Sequence, residues 1–228
     1  MTIFRYAMIK GLQGKLTLIC NCILPLALIF LRPLWTGDFQ LGFSIMAFAI
    51  MSGTFLISQG IMEDRVDNTI TRILAAPVTM FNYLVQKLLA YIVPITVVII
   101  MVCLIGFALY DWTFSFTIAL MLCYNVFAIA SVALTFAWVC LFKSKETSMG
   151  TFSMFLTAMA VIGGLLIPVE VLPTAIRYIG AFSPSYWAST GIGSLLLDGV
   201  TLRYWLSIAI MAMFTVIFLL YGGKRRIV

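Results

Sequence analysis

Glu63 and Asp67, two carboxylates one helical turn apart, are the first residues in this sequence whose spacing could do chemistry, since paired acids can act as general acid and base. They stand in the longest charged stretch of the chain, Glu63 to Lys87, beside Asp64, Arg65 and Arg72. In that setting helix capping or the docking of a partner is the competing use of the same charges. Histidine is absent, and the five cysteines, Cys20, Cys22, Cys103, Cys123 and Cys140, fall inside apolar runs without a CxxC pair. Neither a zinc site nor a disulfide framework is expected, and no residue is assigned as catalytic or metal-binding. The run GxxxxGK[ST] does not occur either, so no nucleotide cofactor is expected on this chain itself.

The elements that must position these residues follow from composition. Of 228 residues, 63% are hydrophobic and 10% charged, whereas a soluble domain averages about a quarter charged. Such a surface faces lipid. The net charge of +6 could suggest nucleic acid, but the basic residues form short clusters between apolar runs instead of one stripe, so no nucleic acid partner is expected.

A hydrocarbon core about 30 Å thick needs roughly 20 apolar residues as helix. Six stretches qualify: Leu16 to Trp35, Leu41 to Met62, Leu88 to Tyr110, Phe114 to Phe142, Ser148 to Ile167 and Leu202 to Tyr221. All the Lys and Arg residues except Arg32, Arg177 and Arg203 then fall on one side, which the positive-inside rule makes cytoplasmic, with both termini there. The run Ser185 to Leu197 is too short to span and reads as re-entrant or interfacial.

Residues 1–15 carry Arg5, Lys10 and Lys15 around an apolar face of Phe4, Ala7, Met8 and Gly11, which reads either as a helix in the headgroup plane or as a plain basic terminus. No small-residue cleavage pattern follows, so the first apolar run is expected to be retained. Within Glu63 to Lys87, residues Met62, Val66, Ile70, Ile73, Leu74 and Pro77 recur at helical spacing while Glu63, Asp64, Asp67, Asn68 and Arg72 take the other faces. An amphipathic cytoplasmic helix is predicted there, ended by Pro77, with Thr79 as a cap for the helix that follows.

Inside the spans Gln59, Asn125 and Trp138 are groups that lipid tails do not welcome, and they should face other helices or a pathway. For Asn125 both substrate contact and interhelical hydrogen bonding stay open. Pro25 and Pro94 are expected to kink their spans. Asp and Glu are missing from the six stretches, which counts against a proton-coupled carrier.

The order of features resembles type-2 ABC transporter permeases. The resemblance lies in Glu63, Thr69, Ile73-Leu74, Ala75-Ala76-Pro77-Val78-Thr79 and Lys87, then in Pro168-Val-Glu170-Val-Leu-Pro173, Ser183-Pro184-Ser-Tyr186-Trp187 and Asp198-Gly199. Asn68 stands where many members have glycine. The resemblance implies a single all-α domain over residues 1–228. It would comprise six transmembrane helices, an amphipathic N-terminal helix, a cytoplasmic coupling helix at 63–79 and an outer re-entrant helix pair at 168–199. It implies that Glu63, Asp64, Arg65, Asp67, Thr69, Arg72 and Pro77 couple to a separate ABC ATPase, and that Glu170, Arg177, Tyr186 and Trp187 border an outer gate. ATP and Mg2+ would sit in two copies of that ATPase. A second permease copy or paralogue would complete the pathway in the plasma membrane, exporting a drug, peptide, lipid or glycan. An ATPase-independent secondary carrier is the alternative.

Overall fold

The computed structural model describes residues 2–12, 23–35, 39–66, 80–142 and 144–224. The long elements among them are all helices: α1 (Thr2–Leu12), α2 (Leu24–Phe30), α3 (Phe39–Val66), α4 (Met80–Leu109), α5 (Phe114–Val139), α6 (Lys145–Ile162), α7 (Thr174–Gly180), α8 (Pro184–Leu197) and α9 (Leu202–Lys224). Short 3-10 turns at Arg32–Leu34 and Val169–Val171 follow α2 and precede α7. The all-α class agrees with the sequence reading. Among the described residues, three stretches are long and apolar enough to cross a bilayer, namely Asn82–Leu109, Phe114–Val139 and Leu202–Gly222, and α3 contains a shorter apolar run, Gln40–Leu56.

Helix α5 organises the bundle because it is apolar on every face, and such a helix must be surrounded. It packs against α3, α4, α8 and α9. Ala128, Ala130, Ser131, Ala133 and Ala137 are all buried, and small side chains of this kind let neighbouring backbones approach. Two tyrosines then tie the outer helices to it or from it. Tyr124 donates its hydroxyl to the Phe43 carbonyl of α3 at 2.9 Å, and Tyr204 of α9 donates to the Ala119 carbonyl at 2.8 Å. Each phenol hides its ring in the core while its O–H finds an acceptor, as buried tyrosines require.

The outside of the bundle is apolar as well. Leu89, Val93, Val97, Met101 and Leu104 form an exposed stripe along α4, and Leu202, Leu206, Met213, Val216, Ile217 and Leu220 lie exposed on α9. Exposed apolar surface on this scale marks contact with lipid or with another protein. The molecule is a membrane protein.

At the end of the bundle where α4 passes to α5, the turn holds Asp111 at φ 51 and Thr113 caps α5 by accepting from the Phe116 N–H. Phe43, Trp112 and Phe116 meet there with centroids 5.4–5.8 Å apart, Phe116 edge to face with both others and Phe43 tilted against Trp112. Helix α6 stops at Gly163, and Gly164 turns the chain at φ +80, a conformation that glycine adopts without strain. Helix α8 starts as its sequence leads one to expect, with Ser183 as cap and Pro184 in the first turn. It is largely buried against α9, α5 and α3. Of the two expected kinks, α4 continues as helix through Pro94, and Pro25 stands in the first turn of α2.

Candidate functional site

The segment that carried most of the sequence signal lies between α3 and α4, at what is called here the loop end. Helix α3 does not stop at Met62; Glu63 to Val66 continue it without a break. Asp67, Thr69, Arg72 and Pro77 lie outside the described residues, as do the side chains of Arg65, Gln59 and Glu170. Glu63 is partly exposed at the helix end.

Asp64 departs from expectation. Counted among the polar faces of a cytoplasmic helix, it is instead fully enclosed. Its Oδ2 lies 2.5 Å from Lys87 Nζ, and both side chains have no exposed surface. Tyr83 donates its hydroxyl to the same oxygen at 3.0 Å, and Lys87 Nζ also donates to the Tyr91 hydroxyl at 3.1 Å. Tyr83, Lys87 and Tyr91 are spaced by four along α4, which stacks them on one face. The ammonium thus sits between two rings, 5.6 and 5.5 Å from their centroids, where the ring quadrupoles favour a cation. Gly60 of α3 makes room for this arrangement, since a Cβ there would stand 2.9 Å from the Tyr91 hydroxyl. Helix α1 packs over the same place against α4 and α3, with Ala7 buried.

Sequence reasoning missed Tyr83 and Tyr91 and took Lys87 as a basic topology marker and a motif position, without a partner. A signal was present: a lysine flanked by tyrosines at i−4 and i+4 within an apolar helix needs an acid, and Asp64 is the nearest one on the preceding helix.

The remaining candidates fall into separate places. Asn125 accepts from the Thr96 hydroxyl at 2.7 Å and donates to the Met121 carbonyl at 2.8 Å, so its side chain bonds α5 to α4. Trp138 stacks on Phe155 of α6 at 4.5 Å and touches Phe152 and Phe142, forming an aromatic patch. At the far end Arg177 Nε donates to the Leu172 carbonyl and Trp187 Nε1 to the Ala181 carbonyl, both at 2.8 Å. Tyr186 packs edge-on against Trp187 at 5.5 Å. These three residues brace the turns around α7. Pathway candidates and far-end candidates are therefore not gathered into one site.

A cavity of about 570 Å³ at the far end was not foreseen. Arg32, Gln40, Phe43, Trp112, Phe116 and Leu196 line it, with the Arg32 guanidinium 4.4 Å from the Tyr110 ring centroid and 5.5 Å from that of Trp112. Among the described residues no three His, Cys, Asp or Glu side chains gather as a metal site. The arrangement as a whole offers a fixed ion pair, helix-to-helix hydrogen bonds and apolar surface, and these are means of holding and moving helices.

A search of curated protein sequences finds no match to the chain. The family model described as ABC-2 family transporter protein matches residues 16–223. That range takes in the loop end, the central helix and the far-end turns alike, so this chain belongs to the ABC-2 transporter family, as a membrane-spanning subunit that transports and is not itself the catalyst.

Proposed function

We propose that this chain is one permease half of an ATP-driven exporter, with six spans, both termini cytoplasmic and a home in the plasma membrane. The observation that carries the reading is the family match over residues 16–223, together with a sequence that holds no phosphate-binding loop. Hydrolysis of ATP with Mg2+ is assigned to two copies of a separate ABC ATPase. The segment 63–79 docks on that ATPase through Glu63, Arg65, Asp67, Thr69 and Arg72, with Pro77 setting the turn. A second permease copy or paralogue completes the pathway.

Cargo of amphipathic or apolar character, such as a drug, peptide, lipid or glycan, fits a chain whose connecting segments are too short to build a capturing domain. The far-end residues Glu170, Arg177, Tyr186 and Trp187 border its exit, and α8 closes that end. The aromatic patch at Trp138 and the hydroxyl-bearing face of α6, with Thr147, Thr151, Ser153 and Thr157 exposed, give the pathway side a mixed surface suited to such cargo.

A second reading has one observation in its favour. Asp64, a carboxylate enclosed at the end of a span, is a group through which a secondary carrier could couple to protons. The experiment that separates the two uses purified protein in lipid discs with an ABC ATPase encoded beside its gene. Native protein is expected to capture that ATPase, and the pair Glu63→Arg and Arg72→Glu is expected to abolish capture while the protein stays folded. No capture by native protein under any nucleotide condition would overturn the permease reading and leave the carrier.

A further inference from the structure

The ion pair between Asp64 and Lys87 joins the last turn of α3 to the second turn of α4, and these are the two helices between which residues 67–79 lie in the sequence. A connection of that length could extend to roughly 40 Å, so the covalent link alone leaves the spacing of the two helix ends open. The enclosed pair closes that freedom. It does so with further partners on both charges, because Tyr83 donates to the carboxylate while Tyr91 accepts from the ammonium.

Net stability is a poor reason to build such a cluster. Removing two charges from water offsets most of their attraction, and well-packed apolar side chains of similar volume usually hold a bundle as well. What a buried pair does supply is registry, since a shift along either helix parts the charges in a medium that will not solvate them. Helix α1 adds a third member, packed on α4 and α3 beside the pair.

We infer that Asp64 and Lys87 are positioning residues for energy coupling: they clamp α3 and α4 into one lever, so that force applied at 67–79 moves both helices together and is not absorbed by the connection. The inference rests on the reading that this segment docks an ATPase. Asp64 then acts through Lys87 from inside the bundle, without touching the partner.

The test uses the neutral double variant Asp64→Asn/Lys87→Met, which removes the clamp without stranding a charge, in the full chain in lipid discs. Backbone amide exchange is read over 60–66 and 80–87. Without ATPase, the variant is expected to melt close to native and yet lose protection in both stretches together. With the ATPase, capture is expected to persist, while the change in exchange on α4 that vanadate trapping produces in the native complex is lost. A purely structural pair would give the opposite pattern, with protection and the vanadate response both kept once the charges are neutralised, and that result would overturn the inference. If native protein captures no ATPase, the docking reading fails, and the exchange measured without ATPase still decides whether the clamp exists. A variant that melts far below native is replaced by Asp64→Leu/Lys87→Met, and the same outcomes apply.

Discussion

At the loop end one ion pair between Lys87 and Asp64 holds two helices, and both charges are wholly enclosed. At the far end the described bonds between α8 and α6 are made by neutral groups. There the Ser185 hydroxyl donates to the Met159 carbonyl at 2.8 Å and the Ser189 hydroxyl to the Gly164 carbonyl at 2.9 Å, binding α8 to the broken end of α6. Irregular backbone within a membrane protein survives only when its polar groups are satisfied inside the protein, and the two serines do that for the turn at 163–164. Neutral bonds of this kind are individually weak and replaceable. A buried charge pair is all or nothing, since loss of one partner leaves a charge that nothing solvates.

The largest expected effect tests that asymmetry. Lys87→Met strands Asp64 and should cost about 3–5 kcal/mol, read as a lower melting temperature or loss of folded protein in lipid discs. Adding Asp64→Asn should restore most of the loss. A single variant that melts like native would erase the difference between the two ends.

Gly163→Ala comes next, because a Cβ there would meet the Ser185 side chain and stand 2.6 Å from the Met159 carbonyl oxygen. Overpacking at such a position costs about 1–3 kcal/mol, and the same melt should show it with the loop end unchanged in amide exchange. The smallest effect belongs to Thr96→Val, which removes only the hydroxyl bond to Asn125. Interhelical bonds of this type average roughly 0.6 kcal/mol, so the melt should barely move. A shift as large as that of Lys87→Met would place Asn125 in a role beyond packing.

Much of the helical scaffold was legible because its signals are local. Ser183-Pro184 marks the start of α8, and apolar length places α5 and α9 closely, whereas α4 begins at Met80, well before the apolar run from Leu88. Asp64 was not legible in the same way. Helical periodicity sorts residues by face and presumes that a polar face meets water, yet this carboxylate turns inward to a lysine 23 residues ahead. Arg32 was read only as a basic residue off the cytoplasmic side, and its contacts with the Tyr110 and Trp112 rings, far along the sequence, were not legible for a related reason. Pairings across helices have no period to read.

The compactness of the charged cluster in sequence bears on how the chain is made. Asp64, Tyr83, Lys87 and Tyr91 are all synthesised before α5, the helix that later surrounds itself with the others. The hairpin of α3 and α4 therefore carries its own neutralisation. A newly inserted helix with a lone lysine is costly in lipid, whereas one already paired to its neighbour presents the bilayer with no net charge. Biogenesis and coupling would then draw on the same four side chains, the first when the hairpin forms and the second each time the finished bundle moves.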